Sequence, residues 1–367
     1  MILTIVIAFF SLIILITIHE LGHFLLAKKF GVKVEEFGIG LPPRIFGKKI
    51  GETIYSLNLL PFGGFVKIYG HEERIDDPRS FSRKPFYQRA FIILGGIISF
   101  WIVTAILLSI VMGLGVPTVI GDEENYNLVD PKVQIVAVSK DSPAEEAGLE
   151  VGDIIRKVKN QRTLIYNTEA RDVSRVKEVQ EFIENYKGEE IILTIQRGKD
   201  FLNIPVTPRI SPPVDEGAIG VALIRTALES YPWYQAPFKG IVATGNLTFL
   251  IIDGWRMTLA SLFQGKGLPP GVEVSGIVGI FELFVQAGGL GISYFLQFIA
   301  IIAVSLALLN ALPIPALDGG WLLFLVIEKI IGKPINQKVE HGITVVFFLL
   351  LIALMILVNA RDIIRIF

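Results

Sequence analysis

The sequence predicts a polytopic α-helical membrane protein with about four transmembrane helices, a membrane-associated β-hairpin and one small α+β domain outside the membrane. Hydrophobic residues make up 52% of the 367 residues, and the mean hydropathy is +0.58. Such a chain is too apolar for an ordinary soluble protein. Four apolar stretches are long enough to cross a bilayer. A charged segment with strand-like runs, residues 115–225, separates the second stretch from the third.

The composition also argues against a nucleic-acid partner and against any site that needs cysteine. The net charge is -1, so nothing points to a nucleic-acid partner. The chain has no cysteine, which excludes disulfides, a cysteine-ligated zinc site and a thiol nucleophile. It has four histidines, and two of them lie within five residues of each other in the first apolar stretch.

The predicted spans cover about residues 2–27, 90–114, 293–311 and 342–359. A cleaved signal peptide is the alternative for the first, but no basic segment precedes it and no small-residue cleavage site follows. The loop between the first two spans is rich in lysine and arginine, which places it in the cytosol. The N-terminus and the strand-rich segment then lie outside. Two arginines near the C-terminus are a weak contrary signal.

The stretch "TIYSLNLLPFGGFVKIYG", residues 53–70, is apolar and rich in β-forming residues. Gly63 and Gly64 stand between its two apolar runs, a pattern that predicts a hairpin. Its apolarity suggests that it dips into the membrane, where such backbone survives only if protein or a water-filled cavity surrounds it. A plain cytosolic hairpin is the alternative.

The stretch "SPAEEAGLEVGDIIRKV", residues 142–158, resembles the signature of a PDZ domain. Gly148 suits a helix C-cap and Gly152 a tight turn. We therefore predict an extracytoplasmic PDZ domain over 117–225. PDZ grooves bind extended peptides by strand addition, and a purely steric plug or spacer is the alternative.

Residues 226–292 are predicted to form a linker and an amphipathic helix. The apolar stretch 238–263 is interrupted by Asp253 and Arg256, which favours a helix lying at the membrane surface. A fifth span is the alternative for this stretch. The lipid bilayer is in either case a partner of the chain.

The motif "HELGH" lies inside the first span and contains His19, Glu20 and His23. Histidines at i and i+4 lie on one helix face, so both imidazoles can bind one zinc ion. Glu20 is placed to take a proton from a zinc-bound water and to deliver it to the leaving amine. Two unrelated histidines are the alternative, but ionisable residues are rare at membrane depth without a function.

A catalytic zinc site usually needs a third protein ligand, and Asp318 is the strongest candidate. It lies in "NALPIPALDGG", where Pro313 and Pro315 break an apolar helix. An acidic residue at a broken span is a functional-site candidate; the alternative is an aspartate that caps the following helix. His71 and His341 have no carboxylate partner at motif spacing.

Six motifs in order carry a family resemblance: "HELGH", "EFGIGLPPRIF", "NLLPFGGFVKIYG", the PDZ-like segment, "VSGIVGI" and "NALPIPALDGG". With them the chain resembles the site-2 protease family of intramembrane zinc proteases. It is most similar to bacterial members with an extracytoplasmic PDZ domain, including those that regulate extracytoplasmic-stress sigma factors. Ile277 and Trp321 stand where the family often has proline and histidine, which bears on substrate preference.

The resemblance implies a set of site residues. His19, His23 and Asp318 would ligate zinc, and Glu20 would be the general base. Asn310, eight residues before Asp318, would help to hold or polarise the substrate peptide.

The resemblance also implies the substrate and the location. The hairpin around Gly63 and Gly64 would hold the substrate as an extended strand. The substrate would be a single-span membrane protein, such as an anti-sigma factor or a signal-peptide remnant, often already clipped outside and then cut within its transmembrane segment. The PDZ domain would exclude unclipped substrates. The chain would lie in the bacterial cytoplasmic membrane, with its active site toward the cytosolic side.

Two other functions compete with this interpretation. A membrane-bound PDZ adaptor with an inactive zinc site is disfavoured because Glu20 and all three ligand candidates are present. A transporter is suggested by the broken helix at Pro313, but the sequence shows no paired repeat halves.

Overall fold

The computed structural model describes residues 2–71, 73–123, 128–160, 170–198, 200–213, 216–268 and 276–366. These residues form two compact units. One unit, here called the helical unit, comprises residues 1–110, 237–288 and 295–367. The other, here called the sheet unit, comprises residues 111–236 and 289–294.

The chain begins with two long helices that are separated by two strands. They are α1 (Ile2–Lys29), β1 (Val34–Ile50), β2 (Thr53–Ile68) and α2 (Phe86–Leu114). Both helices are apolar along most of their length and contain no proline. Lysines occupy the last turn of α1, where positive charge offsets the helix dipole.

The β1–β2 sheet differs from the hairpin predicted within residues 53–70. The two halves of β2 do not pair with each other, because β1 lies between them. Phe37 of β1 pairs with both Tyr55 and Val66 of β2. Gly38 is required there, since a Cβ at this position would lie 2.4 Å from the ring of Phe65. The sequence pattern did not predict β1, because this strand contains glycines and prolines, which are disfavoured in strands.

The sheet unit contains seven strands and two short helices among its described residues. In chain order they are β3 (Val116–Ile120), β4 (Leu128–Val138), α3 (Pro143–Glu146), β5 (Ile154–Asn160), β6 (Arg171–Asp172), α4 (Val176–Asn185), β7 (Ile191–Arg197), β8 (Asp200–Val206) and β9 (Val221–Glu229). The strand order is β3-β9-β4-β5-β7-β8, with β6 paired to β5.

Alternating residues of these strands form the apolar core of the sheet unit. Ile135, Ile155, Leu193 and Ile195 are completely buried, as expected for strands with one covered face. Val179 of α4 closes the core from one side.

Five helices follow the sheet unit in the chain. They are α5 (Ala236–Phe263), α6 (Ile277–Leu290), α7 (Ile292–Ala311), α8 (Asp318–Ile331) and α9 (Gln337–Ile366). Four helices of the described chain are long and apolar enough to cross a membrane: α1, α2, α7 and α9. These coincide with the four predicted spans. Helix α5, predicted as a surface helix, is not among them.

The core of the helical unit joins α1, α2, α6 and α7. Leu15, Phe100 and Phe284 are almost completely buried there, and Ala303 lets α7 approach closely. Residues 274 and 275 of the "VSGIVGI" motif lie outside the described residues. Gly276 donates its N–H to Asp362 Oδ2 at 2.6 Å, so α9 holds the start of α6.

Candidate metal centre

Two buried histidines of α1 form one side of the candidate metal centre. The Nε2 atoms of His19 and His23 lie 3.3 Å apart, and the His19 ring stacks on Phe100. His23 Nδ1 lies 2.8 Å from the carbonyl oxygen of Ile92. A carbonyl can only accept, so Nδ1 carries a proton, and in the neutral ring Nε2 then keeps its lone pair. This is the arrangement of a metal-binding histidine whose ring is oriented by a second hydrogen bond.

Asp318 forms the other side of the centre. It is the first residue of α8, after a turn in which Ala316 has a φ of 123°, an uncommon conformation for a residue with a side chain. The N-cap of α8 is Leu317 and no side chain caps the helix. Asp318 Oδ2 instead lies 3.2 Å from His19 Nε2 and 3.4 Å from His23 Nε2.

The three residues fit a zinc ion. Their distances of 3.2, 3.3 and 3.4 Å match the ~3.4 Å between ligand atoms of a tetrahedron with bonds of about 2.1 Å. Asp318 Oδ2 is buried, and no hydrogen-bond partner for it is found in the described part of the chain. A cation between the three atoms would satisfy it. Two imidazoles and one carboxylate leave the fourth position open, as in catalytic zinc sites.

Three glycines allow the helices to meet around these ligands, and sequence reasoning gave them no role. A Cβ on Gly96 of α2 would lie 2.3 Å from His23 Nε2 and 2.4 Å from His19 Cε1. A Cβ on Gly22 would lie 2.1 Å from the carbonyl oxygen of Gly95. The only signal in the sequence is the glycine pair inside an apolar span, which is compatible with a close approach of two helices.

Glu20 lies beside the ligands, next to the bend of β2 that is predicted to hold the substrate. A Cβ on Gly64 of β2 would lie 3.5 Å from Glu20 Cγ and 3.1 Å from the carbonyl oxygen of Gly38. Gly63 has a φ of 94°, which favours glycine. The structure thus places the Gly63–Gly64 bend of β2 against α1 at Glu20.

His71 lies nearer to the centre than its position in a charged loop suggested. It borders a cavity of about 130 Å³ together with Glu20, His23, Asp318 and Trp321. Its ring centroid is 4.5 Å from that of Trp321. Burial lowers the pKa of His71 to about 4, so His71 is neutral near pH 7.

Asn310 lies near the end of α7. Its Nδ2 donates to the carbonyl oxygen of Leu306 at 2.9 Å, one turn earlier in the same helix. This contact orients the amide, and it does not test the predicted role toward the substrate.

Comparison with known proteins decides the family. The family model described as Peptidase family M50 matches residues 7–354. The chain belongs to peptidase family M50. This is the site-2 protease family, so the predicted family is confirmed, whereas the PDZ-containing subtype stays a prediction.

Several relatives of this M50 protease are similar over nearly their whole length. A protein of Clostridium perfringens that carries the name of a zinc metalloprotease is 34% identical over 352 residues, 95% of each chain. The zinc metalloprotease RasP of Shouchella clausii is 29% identical over 437 residues, 98% of each chain. The regulator of sigma-W protease RasP of Bacillus subtilis is 28% identical over 436 residues, 96% of each chain. The M50 protease is therefore a zinc metalloprotease and a membrane protein.

Proposed function

We propose that this M50 protease is an intramembrane endopeptidase that cleaves single-span membrane proteins within their transmembrane segment. One observation carries the proposal. The ligand trio and Glu20 include three side chains of α1, a helix that is long and apolar enough to cross a bilayer. A soluble substrate has no access to such a position, whereas a transmembrane segment does.

The proposed chemistry assigns a role to each residue. His19, His23 and Asp318 would hold zinc, which when bound supplies a Lewis acid and lowers the pKa of water. Glu20 would act as the general base and then hand the proton to the leaving amine. The stacking of His19 on Phe100 and the backbone hydrogen bond of His23 hold both rings in position.

The substrate would lie as an extended strand along the second half of β2. Gly63 and Gly64 bring that backbone to Glu20 without side chains in the way. A transmembrane helix hides its peptide bonds in internal hydrogen bonds, so unwinding against a strand is needed to expose one bond. Asn310 would then hold or polarise the substrate carbonyl.

The topology and the regulation are part of the proposal. The lysine- and arginine-rich loop would face the cytosol, with the metal centre toward that side. Residues 117–225 would be an extracytoplasmic PDZ domain that admits only substrates already clipped by another protease. One relative is named a regulator of sigma-W protease, and an anti-sigma factor or a signal-peptide remnant is accordingly the proposed substrate class.

Cleavage of a single-span test substrate by the purified full-length protein tests the proposal. Wild-type protein should cut it, and mass spectrometry should place the cut inside the transmembrane segment. Glu20→Gln should abolish cleavage and keep its zinc, because Glu20 is not a ligand. Equal cleavage by both proteins would refute the role of Glu20, and a cut outside the segment would refute the intramembrane assignment.

A further inference from the structure

A second cavity of the helical unit, here called the basic cavity, lies apart from the metal centre. Its volume is about 590 Å³, which is in the range of sites for small ligands. It is formed by residues 74–76, 82 and 83 before α2, by Phe86 and Arg89 at the start of α2, and by the C-terminal end of α8 with residues 332–334. Helix α9 begins three residues after Pro334, which also borders it. The cavity therefore lies near the N-terminal ends of two candidate spans, α2 and α9.

The cavity is strongly positive. Five of its lining residues are basic, namely Arg74, Arg83, Arg89, Lys329 and Lys333. Two are acidic, namely Asp76 and Glu328. Five positive against two negative charges leave three positive charges in excess. Glu340 borders the adjoining space, and two positive charges remain in excess when it is included.

Ion pairs within the chain leave part of this charge unanswered. Arg83 is paired with Asp76, and Glu328 is shared by two guanidinium groups, those of Arg74 and Arg89. Arg89 Nε is buried and has no hydrogen-bond partner among the residues described. Lys329 Nζ lies 4.2 Å from the centroid of the Phe86 ring. In the described ranges, no carboxylate lies within 4.0 Å of Lys329 or Lys333.

A structural role explains only part of this arrangement. Lys329 lies in the last turn of α8, where a cation offsets the helix dipole. That effect does not explain basic residues from three separate segments around one cavity. Ile330 and Ile331 beside Lys329 are 79% and 54% exposed, an arrangement that suits a helix end in contact with lipid.

We propose that the basic cavity binds a phosphate group, either on the headgroup of an anionic phospholipid or as free phosphate. One guanidinium group can donate two parallel hydrogen bonds to phosphate oxygens, and a lysine attracts the phosphate as a point charge. Basic pockets beside membrane helices recognise anionic headgroups in this way. The exposed isoleucines favour the phospholipid as the source. This site is independent of the proposed proteolytic function.

The test measures thermal unfolding of the full-length protein in neutral detergent by tryptophan fluorescence. Phosphatidylglycerol, phosphatidylcholine and inorganic phosphate are titrated separately, and each variant is treated alike. The variants are Lys329→Gln/Lys333→Gln, the charge-conserving Lys329→Arg/Lys333→Arg, and Lys48→Gln/Lys49→Gln as a matched control. Lys48 and Lys49 are exposed lysines of β1 that do not line the cavity.

Phosphatidylglycerol should raise the melting temperature of the wild type, whereas phosphatidylcholine should not. The half-saturating concentration should rise about thirtyfold in Lys329→Gln/Lys333→Gln and stay unchanged in the arginine and control variants. If inorganic phosphate gives the same pattern, the ligand is free phosphate. The proposal is overturned if neither phosphate source stabilises the wild type. It is also overturned if the control variant loses as much as the cavity variant, since the effect would then be general surface charge.

Discussion

Gly96→Ala should inactivate the enzyme although it adds only one methyl group. The new Cβ would lie 2.3 Å from His23 Nε2 and 2.4 Å from His19 Cε1, whereas non-bonded atoms prefer about 3.5 Å. The two rings and α2 must therefore separate by about 1 Å, and overpacking of this kind costs about 1–3 kcal/mol. A displacement of about 1 Å at a catalytic centre lowers the rate by about 100-fold.

Gly113→Ala is the matched control for Gly96→Ala, and the two readouts are substrate cleavage and zinc content. Gly113 lies in the same helix, and the nearest atom to its added Cβ would be Ala236 Cβ at 4.0 Å, so Gly113→Ala should behave like the wild type. Cleavage of the single-span substrate should fall about 100-fold in Gly96→Ala, with a lower zinc content per chain. Full activity with full zinc content in Gly96→Ala would refute the claim that α2 seats the ligands by this contact.

Two further predictions concern the sheet unit. Arg197→Met should lower the free energy of unfolding by about 3 kcal/mol in chemical denaturation, because Arg197 is the ion-pair partner of the buried Asp153. Lys187→Met, which removes the partner of the exposed Glu184, should lower it by less than about 1 kcal/mol, and equal losses in the two variants would contradict the reasoning. Deletion of residues 117–210 should allow cleavage of unclipped substrates if this segment is a filter, and an unchanged substrate range on a gel assay would exclude that role.

The spans and the HELGH motif could be predicted because their signals are local. A long apolar run identifies a span without knowledge of its neighbours. The four-residue spacing of His19 and His23 places both side chains on the same face of a helix. Asp318 could be predicted as a ligand because a catalytic zinc site with two histidines usually needs a third protein ligand. The structure brings these three residues within 3.4 Å of one another, and their role as zinc ligands stays a prediction.

The contacts around the centre could not be predicted because they are tertiary. Gly96 matters only because α2 crosses α1 at the histidine rings, and no local pattern contains that crossing. Residues 36–39 form a central strand despite Gly38, because the partners on both sides supply hydrogen bonds. His71 reaches the site cavity through a loop whose path the charges do not specify.

The zinc content of Asp318→Ala tests the central claim most directly. Wild-type protein should contain about one zinc per chain by elemental analysis, as expected for a single three-ligand site. Asp253→Ala, which removes an exposed aspartate paired with Arg256, should keep that content. Asp318→Ala should lose most of its zinc while remaining folded. An unchanged zinc content in Asp318→Ala would contradict the claim that His19, His23 and Asp318 form the metal site.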